Sequence, residues 1–511
     1  MADLELRDYQ HALADDILAA WSAHRAVLAW MPTGGGKSEV AIHLARREAE
    51  HGGHTLFVVD RRTLAAQART RYAKYGMITG LIRGEDTYVR NYAAAHVATI
   101  QSLRSRDRDP EVRDLLKRTS LIVIDEAHVR FKHHGEILRI VPRARALGLS
   151  ATPLRQGLGQ TFGALVRGPS YGALITAGHL VKNRYFAPHA DDLRDALKSV
   201  GVNTTGDYVS AELSTLMRKR TIVGDAIASF QQHGQDRQAL CFAVDVAHSK
   251  ALCDEFNMAG TSAEHIDFRT EEEERGAIFK RFERGETRVL CSVNVLGIGF
   301  DSPVASCAII ARPTLSRALH VQMIGRIMRP HFGKDFGLVL DHACNVLRHG
   351  RVEDFVPPEL DAIDKRSDYK ARKERPLLVS CSACFAVLNR GTRVCPECGH
   401  ERARRSDVHF VDAELAELDG RADADRARRG ADELRQLYAE LRGLHEARGK
   451  DHAKAAGTAF AQILGNFEFK APWAWRDDPI RPPSEKTLRL ATSWRIAWAK
   501  SKARHETRGR E

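Results

Sequence analysis

Long apolar runs are missing from this sequence of 511 residues. No stretch approaches the roughly 20 residues that span a bilayer, and the N-terminal segment has no signal-peptide pattern. A cytoplasmic protein with no membrane partner is expected, nucleoid-associated if bacterial and compatible with a viral origin. Cysteine is sparse, with nine in the chain. Five of them, Cys241, Cys253, Cys291, Cys307 and Cys344, are scattered through apolar surroundings and read as reduced core residues. There is no internal repeat and no long low-complexity tract, so a solenoid is not expected. Acidic side chains fall short of basic ones, 66 against 78, leaving a net charge of +12. That balance suits a polyanionic partner, of which nucleic acid is the commonest.

What is present is organised around Met31-Pro32-Thr33-Gly34-Gly35-Gly36-Lys37-Ser38. An apolar run, Ala26–Trp30, precedes it, and Val40, Ala41, Leu44 and Ala45 follow at helical spacing. Strand, glycine-rich turn, Lys-Ser and helix make the frame of a phosphate-binding loop. Glycines let backbone N–H groups approach an anion, and the helix N-terminus adds its positive dipole end. Lys37 is expected at the β- and γ-phosphates of ATP and Ser38 at a Mg2+ ion. Met31 stands where this pattern usually has a small residue. Upstream, Leu6-Arg7-Asp8-Tyr9-Gln10 opens a helix-spaced run, and the Gln10 amide has the donor and acceptor to pair with an adenine edge.

Beyond the loop, apolar runs at Thr55–Val59, Val97–Ile100, Leu121–Ile124 and Ala146–Leu149 alternate with helical patterns. This predicts an α/β fold with a parallel sheet covered on both faces and functional residues at the carboxyl ends of its strands. Asp125-Glu126 follows one such run. Asp125 would hold Mg2+ through its water shell, and Glu126 would orient and deprotonate an attacking water.

The order Arg7…Gln10, Pro32–Ser38, Asp60–Gln67, Asp125-Glu126-Ala127-His128 and Ser150-Ala151-Thr152 resembles the superfamily 2 helicases. Within them it resembles the DEAH-box, type III restriction and RecG-like branch. Ala239–Ala243, Val289–Asp301 and Gln322–Arg329 look like that family's motifs IV, V and VI. The resemblance narrows to RadD-like repair helicases, which also carry cysteines after the motor. It implies two tandem RecA-like domains with ATP in the cleft between them. Carried over by motif, Lys37, Asp125, Glu126, Gln322, Arg326 and Arg329 would be catalytic. Arg7, Gln10, Thr33, Gly34, Gly35, Gly36, Ser38, Gly299 and Asp301 would join Lys37 and Asp125 around ATP and Mg2+. His128, Ser150 and Thr152 would couple the nucleotide to motion. Arg61, Thr63, Thr99, Gln101 and Gly297 would meet nucleic acid. Gly297 stands where the family often has threonine.

Cys381-x2-Cys384 and Cys395-x2-Cys398 are separated by ten residues. Each pair can grip one ion through a tight turn, and the four thiolates complete a closed tetrahedral site for structural Zn2+. Replacing one of these cysteines is expected to unfold the small metal module and leave the motor folded, its cores lying elsewhere. Further on, two helical stripes are expected to pack together: Leu434, Leu437, Tyr438, Leu441 and Leu444, then Ala456, Phe460, Ile463, Leu464 and Phe467. Trp473, Trp475, Trp494 and Trp498 cluster among basic residues, either as a small apolar core or as a surface that stacks on bases or docks a protein.

The expected layout is a first RecA-like domain at 1–170, a loop-rich connector at 171–210 and a second RecA-like domain at 211–356. A basic linker at 357–378, a zinc-ribbon-like module at 379–402 and a mostly helical region at 403–511 follow. The expected function is that of a nucleic-acid-dependent ATPase, a helicase or translocase, with DNA favoured over RNA. Three alternatives stand beside it: a duplex translocase that never separates strands, an RNA helicase, and an ATP-switched recruitment module.

Overall fold

The computed structural model describes the chain apart from residues 1–3, 61, 107, 130, 156, 189–192, 194–195, 204–205, 219, 235, 294, 296–301, 361–377, 403–419, 468–470 and 495–511. Two compact units result, residues 1–404 and 405–511.

Short apolar runs make two sheets in the first unit. The first sheet comprises β1 (Ala26–Trp30), β2 (His54–Val59), β3 (Thr79–Ile82), β4 (Ala95–Thr99), β5 (Thr119–Ile124), β6 (Arg145–Ser150) and β7 (Ala164–Arg167). Its strands are parallel throughout, in the order β3-β4-β2-β5-β6-β1-β7. Both faces are buried, which is why the strands read as unbroken apolar runs. Phe57, Val59, Leu121 and Val123 pack on one side under the helices α1 (Asp8–Ala20), α2 (Lys37–Glu50) and α3 (Arg62–Lys74). Leu56, Val58, Ile122 and Ile124 pack on the other.

The second sheet holds β8 (Asn183–Phe186), β9 (Gln238–Phe242), β10 (Ala263–Ile266), β11 (Val289–Ser292), β12 (Ala305–Ile310) and β13 (Gly337–Asp341). It too is all-parallel, ordered β10-β11-β9-β12-β13-β8. Cys241, Cys253, Cys291 and Cys307 are free thiols in the core on one of its faces, as their apolar surroundings imply. The core on the opposite face takes in Trp30, from the end of β1. Trp30 lies 6.3 Å from Phe355 between ring centroids, so the halves share an apolar joint.

Two edge strands went unread in the sequence: β7, inside the expected first domain, and β8, inside the expected loop-rich connector. β7 closes the first sheet beside β1, and β8 closes the second beside β13, ahead of residue 211. Each has four residues, and β7 is only partly buried. Their identity comes from the neighbour they pair with, and strands this short carry little periodicity of their own. β8 is in turn covered by an antiparallel hairpin, β14 (Leu378–Ser380) and β15 (Val387–Asn389), with Cys381 and Cys384 in its turn and Cys395 and Cys398 just after it.

The second unit is helical. Helices Gly420–Ala447 and His452–Phe467 pack around Tyr438, Leu441, Leu444, Ala459, Ile463, Ala471, Trp475 and Ala491. Arg442 is buried there, donating to the carbonyls of Trp475 and Asp478 at 3.0 and 2.8 Å. Trp475 is 7 % exposed and Trp494 packs against the same core. Trp475 is thus a core residue, and Trp494 is half-buried beside it. Trp498 and the side chain of Trp473 lie outside the described residues. Leu464, expected on the inner stripe, is exposed.

Candidate nucleotide site and metal centre

The phosphate loop joins β1 to α2. Gly36, at the helix N-cap, has φ of +88°, a conformation open to glycine, and a Cβ there would collide with the Gln10 amide. Met31 is fully buried, with its thioether directly beneath Gly35. The unusual methionine is thus a floor for the loop. Gln10, expected at an adenine edge, ties α1 to this turn: Nε2 donates to the carbonyls of Gly35 and Gly36, and Oε1 accepts from Arg7 N–H. The Arg7 guanidinium donates to the Tyr9 hydroxyl, which donates to the Gly35 carbonyl. Lys37 Nζ donates to the Met31 and Pro32 carbonyls at 3.2 and 3.4 Å. Burial lowers its pKa, while Glu126 and Asp125 hold the charge in place.

One cavity is lined by Thr33, Gly34, Gly36, Lys37, Ser38, Asp125, Glu126, Arg326 and Arg329. The family resemblance had grouped these residues around one nucleotide. Arg326 and Arg329 come from the second half, so the cavity lies between the sheets. Asp125 is pushed up to about 6, first by burial and then by Glu126, with Lys37 pulling the other way. Glu126 has φ of +48°, which is strained for a residue with a side chain. Asp125 N–H bonds to the Val58 carbonyl, and Ala127 N–H to that of Leu149 at 2.9 Å, so neighbouring strands clamp the turn on both sides. Glu126 Oε2 is buried and makes no hydrogen bond among the described residues; His128 Nδ1 lies 3.5 Å from it.

His128, Ser150, Thr152 and Gln322 also come together. Gln322 Nε2 donates to His128 Nε2 at 2.9 Å and to Thr152 Oγ1 at 3.2 Å, across the two halves. His128 Nδ1 lies 2.9 Å from Ser150 Oγ. Burial, with Lys37 nearby, pushes His128 down to about 4, so the ring is neutral. Accepting at Nε2 leaves its proton on Nδ1, donated to Ser150.

Of the expected nucleic-acid contacts, Gln101 is exposed and Thr63 lies in the first turn of α3. Thr99 has a partner within the fold. It is 3 % exposed, and its hydroxyl caps helix Ile100–Ser105, accepting from Ser102 N–H and donating to Ser102 Oγ. A strand-end threonine before a helix is a natural N-cap. Arg61, Gly297, Gly299 and Asp301 lie outside the described residues. The sequence pattern gave no sign of Arg71 and Tyr72, which line the cavity from α3.

The four paired cysteines converge, with all sulfurs within 4.8 Å of one another. Cys381 and Cys398 Sγ are 3.8 Å apart and Cys384 and Cys395 Sγ 3.7 Å. Tetrahedral Zn–S bonds of about 2.3 Å require sulfur separations of about 3.8 Å, so the donor set fits zinc. The two knuckles match. Phe385 N–H bonds to the Cys381 carbonyl and Gly399 N–H to that of Cys395, with φ of +61° and +71°. The module is not separate from the motor, contrary to expectation. Val387 belongs to the core that holds Trp30, Phe186 pairs with Ala386, and Ala187 N–H bonds to the Phe385 carbonyl.

Two parallel-sheet halves with a phosphate loop and carboxylate pair on one and arginines on the other define a nucleoside-triphosphatase motor. Residues 3–155 match the family described as "Type III restriction enzyme, res subunit", and residues 218–331 the "Helicase conserved C-terminal domain". The chain belongs to the superfamily 2 helicases, on the restriction-helicase branch. It is 27% identical over 378 residues to a 51.5 kDa protein of Lactococcus phage (isolate 7-9), covering 72% of this chain and 77% of that one. It is 27% identical over 360 residues to the putative ATP-dependent helicase IRC3 of Saccharomyces cerevisiae, covering 66% of this chain. It spans 51%, about half, of that relative's length. A fragment of a putative HsdR subunit of a type I restriction enzyme from Vibrio vulnificus shares the fold, with a TM-score of 0.52 at 21% identity over 70% of this chain and 67% of that one. No helix among the described residues is long and apolar enough to cross a membrane.

Proposed function

We propose that this chain couples ATP hydrolysis to movement along DNA. The observation that carries the reading is the cavity between the sheets, where Arg326 and Arg329 face Lys37, Asp125 and Glu126 across the two halves. Ser38 and Asp125 would hold Mg2+, which when bound would draw charge from the phosphate oxygens. Lys37 would bind the β- and γ-phosphates from the loop. Glu126, with Oε2 buried and without a hydrogen bond among the described residues, would accept a proton from the attacking water. Arg326 and Arg329 would stabilise charge that develops on the transferred phosphoryl group, a contribution typically worth about 10³–10⁵ in rate. Those arginines engage only when the halves are apposed. The Gln322–His128–Thr152 bridge reports the carboxylate turn to the second half, so hydrolysis and the relation between the halves are linked. Gln101 and the start of α3, at the carboxyl ends of β4 and β2, are where a strand would be gripped.

DNA is favoured because the family matched by the first half is that of restriction-enzyme subunits. The zinc hairpin is assigned a structural part, its four sulfurs closing the ion off. ATP turnover of the full chain, measured with single-stranded, duplex and forked DNA and RNA added in turn, tests the reading. Stimulation by DNA above RNA is expected, and loss of turnover in Lys37→Ala. Normal turnover by that variant would remove the nucleotide site; stimulation by RNA alone would move the motor to RNA.

A further inference from the structure

The nucleotide cavity contains one cationic side chain that the mechanism above leaves without a role, Arg71. It lies on α3, four residues after Gln67 and three after Ala68, so it shares their side of the helix. That side is otherwise apolar or neutral, and Leu64, Gln67, Ala68 and Tyr72 line the cavity with it. A guanidinium on an inward stripe is costly unless it meets negative charge or hydrogen-bond acceptors.

Its position beside the phosphate loop is specific. One Arg71 N–H donates to Ser38 Oγ at 2.6 Å. Arg71 is also close enough to Arg326 and Arg329 to make each easier to deprotonate, and Arg329 is brought down to about 10 by burial with Arg71 as the next contributor. The cavity thus gathers Lys37, Arg71, Arg326 and Arg329 against Glu39, Asp125 and Glu126. Four cations crowded at partly buried positions repel one another, and a polyphosphate relieves that repulsion. The neighbouring Tyr72 hydroxyl is buried on the same cavity and makes no hydrogen bond among the described residues.

We propose that Arg71 is a third arginine of the nucleotide site and binds the terminal phosphate of ATP from the half that carries the phosphate loop. This rests on the nucleotide reading above. Its effect differs in kind from that of Arg329. Arg71 shares a rigid half with Lys37, so its contact forms in the ground state and is retained in the transition state. Loss of such a contact raises KM with little change in kcat, whereas loss of Arg329 lowers kcat.

The test uses the full chain with Arg71→Ala, Arg71→Gln and Arg71→Lys beside Lys37→Ala and Arg329→Ala. Binding of fluorescent ATP and ADP analogues and steady-state turnover are measured, with thermal melting to confirm folding. Arg71→Ala is expected to weaken ATP binding roughly 10- to 100-fold, the usual worth of a hydrogen bond to a charged group. KM should rise in step, and ADP binding should change far less. Arg71→Lys should recover part of the loss, since it retains charge without the planar fork. Arg71→Gln keeps a donor for Ser38 and takes the place of the alanine variant if that one fails to fold. Unchanged ATP affinity, or an equal loss for ATP and ADP, overturns the proposal. If Lys37→Ala still hydrolyses ATP, it is the nucleotide reading that has failed; if that variant is inactive and the Arg71 variants bind normally, only the role of Arg71 falls.

Discussion

Glu126 sits in a left-handed backbone conformation at the end of β5, between hydrogen bonds that anchor both of its neighbours. Strain of this kind costs on the order of 1–3 kcal/mol and persists only where the surroundings impose it. Here it turns a carboxylate into the cavity and leaves Oε2 without a hydrogen bond among the described residues. Glu126→Gln keeps the shape and loses the base. The variant is expected to bind ATP normally and to hydrolyse it about 10²–10⁴-fold more slowly, the usual contribution of a general base. Single-turnover hydrolysis beside nucleotide binding checks this, and rapid hydrolysis would show that another group activates the water. The same local view explains Thr99. Its chemistry suits either a phosphate or a helix cap, and the helix starting one residue later takes the hydroxyl.

Among the elements, the cysteine hairpin has the longest reach. It covers the edge of β8, and Val181, two residues before β8, donates its N–H to the carbonyl of Met328, next to Arg329. Leu180 packs against Gly34 of the phosphate loop, where Arg329 also lies. Zinc binding in small modules typically supplies about 10–16 kcal/mol at neutral pH, enough to decide whether β8 keeps its cover. Metal analysis is expected to find about one zinc per chain. Cys398→Ser, or removal of zinc by a chelator, should expose the hairpin to protease and also lower ATP turnover through β8 and Arg329. Full turnover in metal-free protein would restore the view of an independent module. Residue spacing made the zinc site readable; the shared core did not show, because Val387 is an ordinary valine until the fold sets it against the second sheet.

For the whole molecule, both sheets, the cavity and the hairpin belong to residues 1–404, and residues 405–511 have a core of their own. Deleting residues 405–511 is therefore expected to leave basal ATP turnover in place. Trp475→Ala should cost about 3–5 kcal/mol within the helical unit, as truncation of a buried tryptophan does. It should leave turnover unchanged, which thermal melts and ATPase assays on the same preparations check. A loss of turnover on either change would tie the helical unit to the motor.

Spacing along the chain determined the motifs, because phosphate loops, strand-end carboxylates and paired cysteines act through residues a few positions apart. Alternating apolar runs likewise determined that β1, β2, β5 and β6 lie in a sheet covered on both faces. Only the tertiary structure decided where Arg71 points, that β7 and β8 are strands, that Trp475 is interior, and that the cysteine hairpin shares the motor's core. Each of those depends on a neighbour far away in sequence. Burial and pairing are properties of the neighbour as much as of the residue, and one-dimensional spacing does not carry them.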